Sequence, residues 1–477
     1  MKKFLCLMLV LLVAVSAVGC GGKESAGDSG VPSLVWYIPG DSQADMDTVM
    51  TEVNKKLSEK VGATLDIRFI DAGAFQEKMT MIMASREEFD LCFTGYCNPY
   101  VDAVRNGALY CIDDILDTVP GLTKSVPEFA LEAAKVDGKL YGVPNYQLCA
   151  FSDCIVVNKE LAEKYNLDLS TIKQTTDIEP FLKTIKENEP DYYPISVNWG
   201  TDAIRSVEEK VYPTEHGCRV VETGKNKYRV ESIYDEKYKE KADILHDWFK
   251  KGYIRPDSAS VMDDTAEIAA GKYAVILANY KPGVEAELKA KNGYDVVVAN
   301  VSPTVFRMTQ PLATMISISS TSKNPEKALK VIEALNTDKE LYNMLCFGIE
   351  GKHYNKVGEN RIELIENSGY NPSASWKFGN QFNAYLLPEQ TDDCWEVSEE
   401  MNNTAQKIGI PGFVFDSNPV RIQLAQITSV VDKYNIIRSG AQDPDEYYGK
   451  FMKELEDAGV KDVIKEYQKQ LDDYCKQ

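Results

Sequence analysis

The chain has 477 residues, too many for one hydrophobic core, so we expect two or more lobes of ordinary domain size. Its 73 acidic residues outnumber its 53 basic ones, and the formal net charge of -20 makes nucleic acid and anionic lipid poor partners. Apolar residues make up 44% of the chain, which excludes disorder for the bulk of it.

The first twenty residues predict an exported protein. Lys2 and Lys3 precede an apolar run over residues 4–15, and small residues lead up to Cys20, which is the order of a secretory signal. The apolar run is shorter than the roughly 20 residues that span a bilayer, so a transmembrane anchor is disfavoured. An ordinary cleaved signal with an incidental cysteine stays open as an alternative.

The end of this signal, Ala17-Val18-Gly19-Cys20, resembles the lipobox of bacterial lipoproteins, although Ala17 stands where that family most often has leucine. The resemblance implies a signal peptide over residues 1–19 and lipidation, as with palmitate, of Cys20. Residues 20–30 are rich in Gly and Ser and predict a flexible tether. A lipid anchor and a tether fit one another.

The ordered part opens with alternating strands and helices. Apolar runs predict strands at 34–37, 64–69 and 89–93, and apolar residues at helical spacing predict helices at 46–61 and 75–83. This alternation is typical of a parallel α/β sheet. Since ligands of such sheets bind beyond the carboxyl ends of the strands, the loops 38–42 and 94–100 are the first candidate sites.

A second α/β unit is predicted from about residue 151, followed by a return to the first lobe. Within it we expect strands at 155–157, 194–198, 273–278 and 294–299 and helices at 159–165, 177–187, 264–270 and 282–291. A strand at 314–318 and a helix at 325–336 then rejoin the first lobe. After about residue 348 the pattern is helical, at 392–406, 419–438, 444–458 and 460–474.

Cysteine and histidine usage indicates neither a disulfide framework nor a metal site. Without Cys6 and Cys20 an odd number of cysteines remains, nine, and several lie in apolar runs, so we expect mostly free thiols. The three histidines are far apart and lack partners at metal-ligand spacing. No hydrolase elbow or phosphate-binding loop occurs in the sequence, so we expect no enzyme, metal or cofactor.

Four segments carry a family resemblance. They are Asp137-Gly138-Lys139-Leu140-Tyr141-Gly142-Val143-Pro144, Ser322-Lys323-Asn324-Pro325-Glu326-Lys327-Ala328, Phe378-Gly379-Asn380-Gln381-Phe382-Asn383 and Pro411-Gly412-Phe413-Val414-Phe415-Asp416. With the lipobox and tether, they resemble an extracellular solute-binding lipoprotein of an ABC importer, of the family 1 subgroup with an extended carboxy-terminal region.

The resemblance implies an α/β fold of two lobes, periplasmic-binding-protein-like (type II), with a helical carboxy-terminal extension. We place lobe one at 31–143 and 305–347, and lobe two with the helical tail at 144–304 and 348–477, with hinge crossings near Pro144 and Pro303. The implied protein is a lipid-anchored monomer on the extracytoplasmic face of a Gram-positive cell, which captures a sugar or oligosaccharide for membrane permease subunits. A peptide or other polar solute, a sensor or adhesin role, and an extracellular carbohydrate-active enzyme remain alternatives.

A sugar site needs flat aromatic rings with amides or carboxylates at their edges. Side chains of these types at predicted strand ends and loops are Trp36, Asp41, Tyr96, Asn98, Tyr146, Trp199, Asn279, Tyr280, Trp376 and Asn380. Trp199 and Trp376 rank first, because glycine and serine around them indicate loops. These loops are poor in Lys and Arg, so we expect a neutral carbohydrate.

Overall fold

The computed structural model describes residues 30–208, 215–225, 227–261 and 263–476. The predicted signal peptide, the lipidation site Cys20 and all of the tether before Gly30 lie outside these ranges. Among the described residues, no helix combines the length and apolarity that crossing a membrane requires.

The chain alternates between strands and helices over the first three quarters of its length and is then mainly helical. The strands are β1 (Ser33–Pro39), β2 (Thr64–Ile70), β3 (Leu91–Gly95), β4 (Lys135–Val136), β5 (Lys139–Leu140), β6 (Gly142–Pro144), β7 (Ala150–Asn158), β8 (Tyr193–Ile195), β9 (Cys218–Gly224), β10 (Lys227–Ser232), β11 (Tyr273–Tyr280), β12 (Val296–Asn300), β13 (Val305–Arg307), β14 (Thr314–Ile318), β15 (Tyr354–Lys356), β16 (Ile362–Leu364) and β17 (Gln406–Ile408). The α-helices are α1 (Met46–Val61), α2 (Phe75–Ala84), α3 (Tyr100–Arg105), α4 (Leu122–Ser125), α5 (Glu128–Ala133), α6 (Lys159–Lys164), α7 (Glu179–Asn188), α8 (Glu236–Lys250), α9 (Thr265–Ala269), α10 (Val284–Asn292), α11 (Pro325–Thr337), α12 (Lys339–Phe347), α13 (Cys394–Thr404), α14 (Arg421–Lys433), α15 (Asn435–Arg438), α16 (Pro444–Asp457) and α17 (Val460–Tyr474).

Sheet one forms the centre of lobe one, in the order β2-β1-β3-β14-β6. Strands β1, β2 and β3 run parallel, as the alternation predicts, whereas β14 pairs antiparallel with both β3 and β6. All five residues of β3 are buried, which matches its short, uninterrupted apolar run. The carboxyl ends of β1 and β3 therefore share one edge with the start of β14 and the end of β6.

Helix α1 illustrates how the sequence builds this lobe. Val49, Val53 and Leu57 recur every fourth residue and are fully buried against the sheet. The helix ends at Gly62, whose left-handed φ of 67° lets its N–H donate to the carbonyls of Leu57 and Ser58.

Sheet two forms lobe two, in the order β17-β13-β7-β11-β8, with β12 also paired to β7. Its pairings with β7 are antiparallel, and only β8 with β11 and β13 with β17 run parallel. The core beside it contains Ile155, Val157, Val275 and Trp248. The helix expected from Pro282 begins at Val284, because Gly283 takes a left-handed conformation just before it.

Two segments pack differently from the expected lobe boundaries. Strand β13 pairs with β7 and so belongs to sheet two, which moves the return crossing to 308–313. Residues 348–387 were expected in lobe two, but Tyr354, Ile362, Tyr370 and Phe378 are buried in the core of lobe one. These apolar side chains cover helices α11 and α12, which a helical pattern alone could not reveal.

The tail packs on lobe two. Phe451, Leu455, Val463 and Leu471 from α16 and α17 share a core with Tyr234, which lies between β10 and α8. The hairpin β9–β10 and helix α8 were not among the expected elements. All nine cysteines in the described ranges are free thiols, and seven of them are buried.

Candidate functional site

An aromatic platform lies at the carboxyl edge of sheet one. Trp376 packs against Phe93 of β3 and against Tyr96, with ring centroids 6.2 and 5.9 Å apart. Tyr96 remains 58% exposed, and Trp376 is half-buried. Burial of the lower side of Tyr96 raises the pKa of its hydroxyl to about 12, so it is neutral and able to donate. The pair presents apolar ring surface beside the Tyr96 hydroxyl.

Gly95 explains how β3 can end at this platform. Its φ is 140°, and a Cβ there would lie only 2.0 Å from the carbonyl oxygen of Ala313, at the start of β14. Glycine therefore allows the chain to turn directly over β14 and to present Tyr96 at the edge of the sheet.

Lys377 fixes the other half of the platform. Its ammonium donates to the carbonyl of Pro39 at the end of β1 (2.8 Å) and lies 4.9 Å from the centre of the Trp376 ring. Desolvation lowers the pKa of Lys377, and the nearby carboxylate of Asp41 opposes that shift. The backbone carbonyl of Lys377 accepts a hydrogen bond from Asn145 (3.2 Å). Trp376 is thus attached to both β1 and the first crossing.

Further hydrogen bonds hold the loop that carries Trp376. The Tyr342 hydroxyl of α12 donates to Ser375 O (2.7 Å), and the N–H of Gln381 donates to Tyr146 O (2.8 Å). The Asn380 amide donates to Ser125 O (3.2 Å). This loop is therefore preorganised before a solute arrives.

Lobe two carries Trp199 beyond the carboxyl end of its strand β8. Trp199 lies four residues after the end of β8, packs partly against the core of lobe two, and precedes Gly200, whose φ is 60°. Arg438 of the tail donates to Trp199 O across 3.4 Å, and a Cβ on Gly200 would lie 3.0 Å from the Arg438 side chain. Asn279, near the end of the neighbouring strand β11, is exposed at the same edge, whereas Tyr280 turns to the opposite face, packing near Leu288.

A buried ion pair underlies this edge. Arg205 lies 3.0 Å from Asp153 of β7, with side chains 9% and 6% exposed. Removing either partner would leave a buried charge, which is strongly unfavourable, so the pair fixes the segment after Trp199 against β7.

Of the predicted site residues, the structure places Asp41, Tyr96 and Trp376 together at the edge of lobe one, and it places four others away from that platform. Trp36 is fully buried in the core against Phe378, because its strand is covered on both faces. Asn98 is buried and donates to Phe93 O (2.9 Å), which closes the turn after β3.

Tyr146 and Asn380 have structural surroundings as well. Tyr146 is 1% exposed and packs edge-on to Phe382 at 4.9 Å, and burial raises its pKa to about 12. The side-chain amide N–H of Asn380 donates to Ser125 O, and its side-chain oxygen accepts from the N–H of Phe382. Both residues therefore support the loop that carries Trp376 through packing and hydrogen bonds.

Sequence reasoning missed Lys377, Arg205 and Arg438. Lys377 adjoins the predicted Trp376 and could have been considered on that ground. Arg438 lies 239 residues from Trp199 in sequence, and no local pattern connects the two. Within the described ranges, no three His, Cys, Asp or Glu side chains gather closely enough to hold a metal ion.

Asn402 of α13 is bonded to the first crossing between the lobes. Its side-chain oxygen accepts from the N–H groups of Cys149 and Ala150, both at 2.8 Å, and its amide donates to Gln147 O at 2.8 Å. Asn402 is fully buried, so these bonds are shielded from water. The segment 147–150 is therefore held directly to α13.

Each of the two α/β lobes ends in an aromatic edge, beside the segments that connect the lobes. This arrangement is typical of a protein that binds a solute between its lobes. The sequence model of the bacterial extracellular solute-binding protein family matches residues 40–341, and this chain belongs to that family. A second model, a domain of unknown function (DUF3502), matches residues 409–476.

A relative known by its sequence and a solved structure, both from Streptococcus pneumoniae, are similar over nearly the whole chain. The carbohydrate ABC transporter substrate-binding protein of serotype 4 (strain TIGR4) is 28% identical over 98% of this chain and 97% of its own length. The crystal structure of the N-glycan transport solute-binding protein NgtS has a TM-score of 0.80 at 27% identity, covering 94% of this chain and 99% of NgtS. NgtS in complex with Man1GlcNAc and with Man5GlcNAc gives TM-scores of 0.67 and 0.63.

Proposed function

We propose that this chain captures a neutral sugar or oligosaccharide between its lobes as the substrate-binding lipoprotein of an ABC importer. The observation that carries the proposal is the platform of Trp376 and Tyr96, held by Lys377 at the carboxyl edge of sheet one. Pyranose rings present apolar faces that pack on such rings, and their hydroxyls bond to the amides and carboxylates alongside. The names of the similar S. pneumoniae sequence and structure, a carbohydrate transporter protein and an N-glycan transport protein, support a carbohydrate over a peptide.

The structure corresponds, in our proposal, to the open arrangement of the lobes. The TM-score is higher for the NgtS structure that is named without a ligand than for the two NgtS complexes with glycans. The protein compared is NgtS in all three cases. A rotation of one lobe relative to the other accounts for such a difference, and closure on solute is the change that a permease would read. Lobe one would comprise 31–143 with 314–387, and lobe two 150–307 with the tail.

The remaining features of the proposal concern location and chemistry. Cys20 would carry the lipid anchor on the extracytoplasmic face of a Gram-positive cell, and the permease subunits would be the membrane partners of a monomeric binding protein. Binding would proceed without turnover of the sugar. Replacing Cys20 by Ala should abolish lipid labelling of the chain, and unchanged labelling would contradict the anchor.

Isothermal titration calorimetry with Man1GlcNAc and Man5GlcNAc tests the carbohydrate proposal directly. We expect saturable binding and a rise in melting temperature with sugar concentration, because ligand at a hundred times its dissociation constant adds about 2.7 kcal/mol to stability. Small-angle scattering should show a smaller radius of gyration with sugar. Absence of heat and of a melting shift with both sugars would contradict the proposal, and release of monosaccharide would favour an enzyme.

A further inference from the structure

A cavity of about 490 Å³ lies where lobe two meets the tail. Lobe two lines it with Thr201, Asp202 and Tyr238, and the tail lines it with Val431 of α14 and Arg438 of α15. The volume falls within the roughly 300–1,000 Å³ typical of ligand pockets. Asp202 is half-exposed, so the cavity is reached by solvent.

This cavity adjoins the lobe-two edge of the solute site. Thr201 and Asp202 follow Trp199 within three residues, on the 3-10 turn Gly200–Ala203. Arg438 lines the cavity and also donates to Trp199 O. The cavity and the Trp199 turn are therefore joined through Arg438 and through the residues that directly follow Trp199.

The lining has the chemistry of a hydroxyl-rich, uncharged ligand. Arg219 lies 2.8 and 2.7 Å from the carboxylates of Glu231 and Asp235, and Arg205 lies 3.0 Å from Asp153. These carboxylates offset much of the positive charge of the arginines and lysines that line the cavity, so an anion gains little there. Sugar hydroxyls both donate and accept hydrogen bonds. Guanidinium groups can donate to them, and carboxylate groups can accept from them.

We propose that this cavity is a subsite for a further neutral sugar unit of the solute, and that the tail serves to complete it. The inference rests on the proposed carbohydrate-binding function and extends it, because it assigns the tail a part in choosing solutes by length. Short sugars would bind at the Trp376 platform, and longer ones would also reach the cavity.

The test compares Man1GlcNAc with Man5GlcNAc on the full chain. Wild type should bind Man5GlcNAc at least tenfold more tightly. Val431→Trp fills the cavity from its tail side and should remove that advantage, while affinity for Man1GlcNAc stays within twofold. Ile422→Trp is the matched control, since Ile422 lies on the same helix α14, is 69% exposed and does not line the cavity.

A second variant tests the subsite without a substitution in the tail. Asp202→Asn keeps the size of a half-exposed side chain and removes a charged acceptor, and it should weaken Man5GlcNAc severalfold and leave Man1GlcNAc unchanged. Equal binding of the two sugars by wild type, or an undiminished Man5GlcNAc advantage in both variants, would overturn the subsite while leaving the proposed function intact. Binding of neither sugar by wild type would overturn both.

Discussion

The two aromatic edges of this protein are held in different ways. The Trp376 loop is attached to β1 through Lys377, to α12 through Tyr342 and to the first crossing through Asn145. The Trp199 turn meets the tail through a longer contact, 3.4 Å from Arg438, at a glycine with positive φ. A preorganised ring loses little freedom on binding, whereas a less constrained ring can adjust to different solutes. We infer that lobe one fixes the first sugar and lobe two adapts to the rest.

Among the variants that compare the two edges, Trp376→Ala should have the largest effect on sugar affinity. It removes the ring that packs on Tyr96 and Phe93, and we expect at least a tenfold loss of affinity for Man1GlcNAc, which is about 1.4 kcal/mol. Calorimetry measures the loss, and circular dichroism checks the fold. Affinity equal to wild type would show that this platform does not contact the sugar.

Lys377→Met should have the next largest effect, about a fivefold loss of affinity for Man1GlcNAc. The substitution keeps the apolar stem and removes the donor to Pro39 O, so the loop is less constrained, and stability falls by about 1–3 kcal/mol. Lys323→Met is the control, because Lys323 is 73% exposed on the same lobe and pairs with Glu88. Similar losses for both lysines would argue against preorganisation.

Trp199→Ala should weaken Man1GlcNAc binding only about threefold, because its ring packs partly on the core of lobe two and its carbonyl meets the tail through a long, 3.4 Å hydrogen bond. The double variant with Trp376→Ala sharpens the comparison. Additive losses would indicate that the two rings act independently, and a coupling above about 0.5 kcal/mol would indicate that they hold the same sugar unit. A larger loss for Trp199→Ala than for Trp376→Ala would reverse our ranking of the lobes.

Gly200→Ala should have the smallest effect on affinity, about twofold. A Cβ at this position meets Arg438 at 3.0 Å and is strained at φ 60°, so the melting temperature should also fall. Gly107→Ala isolates the contact, since Gly107 has φ 66° with no atom within 4 Å of a Cβ. An equal fall in both variants would mean that backbone strain, and not the tail, explains the effect.

Sequence patterns predicted the layered opening well, because β1, α1 and β2 are local and strongly periodic. They failed where distant segments meet. Trp36 and Tyr146 have the composition of a sugar site, yet their burial depends on Phe378 and Phe382, more than 230 residues away. Trp376 could be found because glycine and serine nearby indicated a loop, whereas its dependence on Lys377 and Pro39 O required the fold.

The position of β14 has a consequence for how the exported chain acquires its structure. β14 lies between β3 and β6, and its partner Gly95 is separated from Thr314 by more than 200 residues. Sheet one therefore stays incomplete until β14 has been exported, and sheet two stays incomplete until β17 (Gln406–Ile408) has followed. Closing such long loops is slow, so we expect both lobes to reach their final packing only after most of the chain has been exported.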